Sequence, residues 1–112
     1  MTIQKGDVIW VDLGQPKGSV QSGCRPAVVF TSAVACRYAS VITVIPLTTA
    51  RKKIPVQVEL NVRDKNSVAL TEQITTISLQ QILGEPIARV PKKDLKKLNI
   101  AVKKQLAIDR KE

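Results

Sequence analysis

The chain has 112 residues, of which 44% are hydrophobic and 24% charged, and this composition fits one globular domain without room for a second core. It contains no histidine, so the commonest general base and metal ligand is missing, and histidine-dependent ribonucleases and Ser-His-Asp hydrolases are excluded. Lysine and arginine number 18 against 9 acidic residues, and the resulting net charge of +9 favours a polyanionic partner over the alternative of a merely soluble basic surface.

Three strands are predicted in the N-terminal half, from runs of β-branched residues bounded by glycine and proline. The first covers residues 7–13 and the second 25–30, and the segment between them, 14–23, has the glycines and serines of a long hairpin loop. Residues 31–39 are predicted to form a connection. The third strand, 40–47, is almost entirely apolar and is therefore expected at the centre of the sheet, covered on both faces.

The C-terminal half predicts shorter strands. Residues 55–60 alternate apolar and polar side chains, which is typical of a half-buried strand. Residues 67–70 and 72–77 predict two further short strands or one bent strand. A last strand at 87–90 is expected after a turn at 84–86, where glycine and proline stand close together.

From Pro91 onward the hydrophobic period changes to that of a helix. Leu95, Leu98 and Val102 recur at three- and four-residue steps, which predicts an amphipathic helix at about 91–109 with a solvated lysine face. Short strands followed by one helix indicate a mainly β fold with some α structure, a small curved β-barrel of five to seven strands with a packed helix. The barrel is expected at about 5–90 within a single domain of residues 1–112.

Two polar residues at strand ends, Arg25 and Thr48, are the candidate catalytic groups. If their strands are neighbours, a guanidinium and a hydroxyl meet over one spot. The guanidinium binds phosphate through two parallel hydrogen bonds and stays protonated, so it suits a clamp on developing negative charge better than a base. The hydroxyl of Thr48 can orient the phosphate or relay a proton. By themselves, such residues at strand ends are more often structural.

Four sequence blocks, in this order, closely resemble the MazF/PemK family of bacterial toxins. They are the runs KGDVIWVDL, GSxQxGxRPAVV, PLTT and SVALTEQI, and the likeness extends from about residue 5 to residue 83. The resemblance implies a homodimeric barrel of the SH3-like or CcdB-like type. It also implies the toxin of a type II toxin–antitoxin system, neutralised by a cognate antitoxin with an acidic C-terminal tail.

The activity implied by the resemblance is a metal-independent, cofactor-free endoribonuclease that cuts single-stranded RNA, including mRNA, at short sequence motifs and stops translation and growth. Attack by the RNA 2′-hydroxyl is expected to leave a 2′,3′-cyclic phosphate and a 5′-hydroxyl. Arg25 and Thr48 fall on the catalytic arginine and threonine of the family. The RNA-binding residues implied by the resemblance or by their position near Thr48 are Gly18, Ser19, Gln21, Thr49, Arg51, Lys52, Lys53 and Gln73. The basic loop 51–53 has an alternative interpretation as a solvated turn.

Three departures from the family pattern keep other functions open. Val20 replaces an acidic residue of the loop, Thr75 replaces a basic residue, and the stretch between Leu60 and Ser67 is short. The alternatives are a CcdB-like toxin that poisons DNA gyrase without cutting RNA, and a family member that binds RNA but cuts it weakly.

The remaining signals concern compartment and core. Cys24 and Cys36 match no zinc or redox motif, which is typical of free thiols in a reducing cytoplasm. No signal segment or membrane-spanning apolar run is found, so a cytoplasmic protein without membrane contact is expected. Trp10 and Phe30 are predicted to lie in the core rather than to stack on RNA bases.

Overall fold

The computed structural model describes residues 3–50 and 54–108, and the main element of this part is a seven-stranded antiparallel sheet that curls into a half-barrel. The strands, in chain order, are β1 (Asp7–Asp12), β2 (Cys24–Val29), β3 (Val41–Thr48), β4 (Val58–Val62), β5 (Lys65–Ala69), β6 (Thr75–Ser78) and β7 (Ile82–Arg89). Two α-helices accompany them, α1 (Ala33–Tyr38) and α2 (Lys92–Leu106), with single 3₁₀ turns at Thr71–Gln73 and Leu79–Gln81. The predicted fold class, mainly β with a C-terminal helix, is confirmed.

Strand β3 is the branch point of the sheet. The hydrogen-bonded order is β4-β5-β3-β2-β1-β7, and β6 also pairs with β3. Its first half pairs with β6, its middle with β2 and its last two residues with β5. A strand with three neighbours bends the sheet around itself. Ile42, Val44, Ile45 and Leu47 of β3 are all at most 2% exposed, as expected for a central strand.

The apolar residues of the sheet divide between its two faces. Successive side chains of a strand point to opposite faces, and in β2 Val28 joins one hydrophobic cluster while Ala27 and Val29 join the other. The cluster around Val28 is closed by α2, which buries Leu98, Ala101 and Val102. The helix thus fixes one face of the sheet, while its lysines stay on the solvent side.

Two segments differ from the sequence-based prediction. The expected connection at 31–39 contains the short helix α1, which begins after Ser32 because the Ser32 hydroxyl accepts a hydrogen bond from the Ala35 amide, 3.2 Å. The expected turn at 84–86 lies inside β7. Glycine and proline are tolerated there because the pairing with β1 shifts register between Val8 and Trp10, which leaves a bulge.

The β4–β5 hairpin also lies at other positions than predicted. Val62 pairs with Lys65, so the reversal takes only Arg63 and Asp64, whose φ angles are +50° and +65°. Positive φ at both central residues is the mark of a tight type I′ hairpin turn. The strands therefore run closer to the turn than the apolar pattern indicated. No described helix is long and apolar enough to cross a membrane.

Candidate active site

The pairing of β2 with β3 brings Arg25 and Thr48 to the same end of the sheet. Ala27 pairs with Pro46 and Val28 with Ile45, and the same antiparallel register continued by two residues sets Arg25 opposite Thr48. Both side chains line one cavity of about 490 Å³. The strands are thus neighbours, and the guanidinium and the hydroxyl share one space.

The cavity is cationic in the part of the chain that the structure describes. Its lining contains three basic residues, no acidic residue, three hydroxyls and one thiol on an apolar base, namely Trp10, Cys24, Arg25, Pro26, Leu47, Thr48, Thr49, Val62, Arg63, Lys65, Ser67 and Ile87. A volume of this size suits a nucleotide-sized ligand. The charge balance favours a ligand that carries phosphate.

Arg25 is held by the loop that precedes it. Its Nε donates a hydrogen bond to the carbonyl oxygen of Ser22 at 2.7 Å, and the side chain is half-buried. Among the described residues the two terminal nitrogens have no partner, so their N–H groups remain available to a ligand. A fixed Nε and a free pair of terminal nitrogens are what a two-pronged phosphate clamp requires.

Thr48 is oriented by the turn that follows it. Its Oγ1 accepts a hydrogen bond from the amide of Ala50 at 3.1 Å. One lone pair is used in this way, and the hydroxyl proton is left to be donated into the cavity. Thr49 lines the same cavity and is exposed.

Gln73 ties the long hairpin loop to the body of the barrel. Its Oε1 accepts from the amide of Gln21 at 3.2 Å, and its Nε2 donates to the carbonyl oxygen of Ser19 at 3.1 Å. Both ends of the Gln73 amide therefore hold the loop backbone in this structure. None of Gly18, Ser19, Gln21 and Gln73 lines the cavity, and their contact with RNA stays a prediction.

The base of the loop is narrow, and its tip is exposed. Gly14 and Gly23 are joined by a backbone hydrogen bond of 2.9 Å, and both have positive φ, +84° and +73°, which glycine adopts without strain. Val20, one of the departures from the family pattern, is 60% exposed near the tip. Thr75, the other, is exposed at the start of β6. Arg51, Lys52 and Lys53 lie outside the described residues.

The prediction that Trp10 belongs to the core is wrong. Ile9 and Val11 are fully buried, but Trp10 lies between them on the opposite face of β1, 41% exposed, and lines the cavity. No local signal could have found it, because residues 8–11 form an uninterrupted apolar run and Val8, on the same face as Trp10, is fully buried. Phe30 does pack against the core, and the ammonium of Lys5 lies 4.2 Å from its ring centroid.

The two cysteines have different surroundings. Cys24 is exposed at the cavity wall, whereas Cys36 is half-buried in α1 and contacts the carbonyl oxygen of Thr31. Burial, with a smaller effect from the negative charge of Asp7, raises the pKa of the Cys36 thiol above its ordinary value. Within residues 3–50 and 54–108, no group of three or more cysteine and acidic side chains is placed to hold a metal ion.

Comparison with known proteins identifies the family. Residues 4–106 match the family described as PemK-like, MazF-like toxin of type II toxin–antitoxin system. The endoribonuclease toxin MazF of Escherichia coli K12 is 38% identical over 73 residues, which cover 65% of this chain and 66%, or just under two thirds, of that protein. Endoribonuclease EndoA of Bacillus subtilis is 30% identical over 114 residues, covering 96% of this chain and 97% of EndoA.

Solved structures agree with this assignment at the level of the fold. MazF of Deinococcus radiodurans superposes with a TM-score of 0.85 at 21% identity, covering 96% of this chain and 99% of that one. An endoribonuclease from a mycobacterial species, in complex with its cognate antitoxin, gives a TM-score of 0.80 at 22% identity over 97% and 99% of the two chains. The chain belongs to the PemK-like, MazF-like toxins of type II toxin–antitoxin systems.

Proposed function

We propose that this toxin is a metal-independent endoribonuclease that cleaves single-stranded RNA at specific short sequences and so stops translation. The observation that carries the proposal is the convergence of Arg25 and Thr48 on one cavity whose described lining is basic and hydroxyl-bearing. The relatives named as endoribonucleases support the reaction class.

The reaction needs little chemistry from the protein because RNA supplies its own nucleophile. The 2′-hydroxyl oxygen forms a bond to the adjacent phosphorus and loses its proton, while the bond from phosphorus to the 5′-oxygen breaks and that oxygen gains a proton. The products are a 2′,3′-cyclic phosphate and a 5′-hydroxyl. DNA lacks the nucleophile, so the same site leaves DNA intact.

Arg25 supplies the electrostatic part of this mechanism. Negative charge builds up on the non-bridging phosphate oxygens in the transition state, and the free terminal nitrogens of Arg25 are fixed donors for it. The Nε–Ser22 hydrogen bond sets their direction before substrate arrives. Preorganised donors of this kind commonly contribute about 10²–10³-fold in rate each.

Thr48 supplies orientation and a proton path. The amide of Ala50 fixes its oxygen, so the hydroxyl proton points to a ligand in the cavity. A hydroxyl both donates and accepts, and Thr48 can therefore pass a proton from the 2′-oxygen toward the leaving 5′-oxygen. Arg25 remains a cation and takes no proton.

The same proposal includes the partners. A net charge of +9 and a basic cavity favour a cognate antitoxin whose acidic C-terminal tail covers the site, and solved relatives include toxins in complex with a cognate antitoxin. The active form is proposed to be a homodimer, and its place of action the cytoplasm, where mRNA is translated. A gyrase poison of the CcdB type is not favoured, since it would leave Arg25 and Thr48 without a role.

Cleavage of a long mixed-sequence RNA in excess EDTA tests the proposal. The purified protein is compared with Arg25→Ala and Thr48→Ala, and circular dichroism with thermal unfolding checks that all three are folded. We expect discrete fragments with 5′-hydroxyl ends from the parent alone. Intact RNA from a folded parent, or a strict need for a divalent metal, contradicts it.

A further inference from the structure

The β4–β5 hairpin forms a second wall of the cavity and carries chemistry that the cleavage step does not use. Val62, Arg63, Lys65 and Ser67 all line the cavity. Lys65 and Ser67 are two residues apart on β5, so their side chains leave the same face of the strand. The hairpin therefore presents a short row of hydrogen-bond donors to the space that Arg25 and Thr48 share.

The position of Arg63 depends on an unusual turn. Residues with a β-carbon rarely adopt positive φ, and hairpin turns of this type normally carry Asn-Gly or Asp-Gly. Here Arg63 and Asp64 take φ of +50° and +65°, without a glycine. This strained conformation places the Arg63 side chain on the cavity, while Asp64 does not line it.

The donors on this wall are unpartnered within the described residues. Arg63 and Lys65 are exposed and make no hydrogen bond or ion pair there. Ser67 is only 6% exposed, and its hydroxyl likewise has no protein partner. Ser67 lines the cavity and its hydroxyl is not sealed from solvent, so this group can donate a hydrogen bond to a ligand bound there.

Trp10 completes this part of the cavity. It is 41% exposed and lines the same space as Arg63 and Lys65. An exposed indole next to unpaired cations is the combination used to bind single-stranded nucleic acid, in which the ring stacks on a base and the cations neutralise phosphate. An acidic peptide would use the cations but has no base for the indole.

We propose that Trp10, Arg63 and Lys65 form a second nucleotide subsite that binds the nucleotide next to the scissile bond. The indole of Trp10 stacks on the base, Arg63 and Lys65 bind the flanking phosphate, and the Ser67 hydroxyl donates to an oxygen of the same nucleotide. This assignment rests on the proposed function and adds the residues that hold the substrate beside Arg25 and Thr48.

Fluorescence gives a direct test, because Trp10 is the only tryptophan of the chain. The probe is a pool of short random-sequence 2′-O-methyl RNA, which has no free 2′-hydroxyl and therefore binds without being cut. We expect the RNA to quench Trp10 and a matched abasic oligonucleotide, which keeps the phosphates, to leave its emission almost unchanged. Equal quenching by both, or none by RNA, overturns the stacking role of Trp10.

Salt dependence tests the phosphate contacts. Each phosphate contact on a single strand contributes about 0.7 to the slope of log affinity against log salt concentration. Arg63→Gln and Lys65→Gln are expected to lower that slope by about 0.7 each and to raise KM for RNA cleavage. The matched control is Arg37→Gln, which removes one exposed charge on α1 that does not line the cavity.

The outcomes separate the subsite from the cleavage proposal. If the parent cuts RNA but Arg63→Gln and Lys65→Gln have the slope and KM of the Arg37→Gln control, the subsite is wrong and the nuclease stands. If the slopes fall as expected but the parent cuts no RNA, the subsite is upheld as an RNA-binding site and the nuclease proposal fails.

Discussion

Two parts of the molecule that flank Arg25, the β2–β3 strand pair and the loop at 14–23, are held in place by different means. The β2–β3 side is fixed by backbone pairing, in which the register from Ala27 and Pro46 sets where Arg25 and Thr48 lie. The loop at 14–23 is closed at its base by backbone hydrogen bonds, but beyond the base it is held by side chains, through Gln73 on one side and the Nε of Arg25 on the other. Backbone pairing is lost only when the sheet unfolds, whereas two or three side-chain bonds open locally. The sheet therefore sets the positions of Arg25 and Thr48, and the loop is the part that we propose opens to admit RNA.

Arg25 is part of β2 and also binds the loop through Ser22, so its replacement has the largest expected effect. Arg25→Lys keeps the positive charge but removes the two-pronged donor and the Nε bond to Ser22. We expect kcat to fall by about 10²–10³-fold, because the transition-state clamp is lost. Single-turnover cleavage of RNA measures this, with thermal unfolding as the folding control. A near-normal kcat in Arg25→Lys would mean that a positive charge alone stabilises the transition state and that the two terminal nitrogens of arginine are not needed.

Replacement of Thr48 tests the catalytic group that is positioned by the pairing of the sheet alone. Thr48→Val keeps the shape and strand propensity but removes the hydroxyl, and we expect kcat to fall by about 10²-fold through loss of proton transfer and orientation. Thr48→Ser keeps the hydroxyl and is expected to restore most of the rate. Equal rates for Thr48→Val and Thr48→Ser would show that the hydroxyl takes no part in cleavage.

Gln73 tests the side-chain clamp on the loop. Gln73→Leu removes both hydrogen bonds at similar size, and since together they contribute about 2 kcal/mol, we expect roughly a thirtyfold loss in kcat/KM. Limited proteolysis between residues 14 and 23 is expected to speed up in parallel. Gln80→Leu is the matched control, because Gln80 is exposed and its side chain contacts neither the loop nor the cavity.

The two readouts for Gln73 separate a positioning role from a direct contact with RNA. A lower kcat/KM together with faster loop proteolysis supports the clamp. A lower kcat/KM with unchanged proteolysis contradicts it and favours direct RNA contact by Gln73.

The thiols give the smallest and most local test. Because the thiolate is the reactive form and burial raises the pKa of Cys36, we expect iodoacetamide to modify exposed Cys24 first at pH 8. The adduct occupies the cavity wall, so cleavage falls with Cys24 modification, and Cys24→Ser is protected. Mass spectrometry after limited alkylation measures the order. Faster modification of Cys36 would contradict the described packing of α1.

The raised pKa also has a consequence for stability. Because the pKa of Cys36 is raised in the folded state, the thiol ionises first in the unfolded chain, and that ionisation favours unfolding. The contribution of Cys36 to stability is therefore fully present below the ordinary thiol pKa and is lost as the pH rises through it toward the raised folded-state pKa. Replacement by Cys36→Ala is expected to flatten the loss of stability measured by denaturation at alkaline pH.

Most of the sheet and the pair Arg25 and Thr48 could be predicted because the necessary signals are local. Runs of valine and isoleucine mark β1 to β3, and a change of period marks α2. Helix α1 was missed because it buries no residue and so shows no apolar stripe, and its start depends on the Ser32 cap. Trp10 was misplaced because it lies within the apolar run at residues 8–11, whose other members are all buried, so no alternation separates it from them.

The second wall of the cavity could not be predicted from the sequence for a different reason. Its residues face the cavity only when Val62 pairs with Lys65, and that register depends on a turn without glycine. The sequence around Arg63 and Asp64 has no Asn-Gly or Asp-Gly signal, so the strand ends were set at the nearest apolar residues instead. A one-residue slip would have turned Lys65 and Ser67 away from the cavity.

The most direct test of the catalytic site is the fate of one nucleotide. After cleavage mapping locates a cut, an RNA is made with a single 2′-deoxy substitution at the nucleotide whose 2′-hydroxyl attacks, and cleavage is measured in EDTA beside the unmodified RNA. If Arg25 and Thr48 act on the RNA's own 2′-hydroxyl, the bond next to the deoxy nucleotide stays intact. Every other cleaved bond then leaves a 2′,3′-cyclic phosphate and a 5′-hydroxyl. Cleavage at the deoxy position, or a 5′-phosphate on the downstream fragment, would contradict this mechanism.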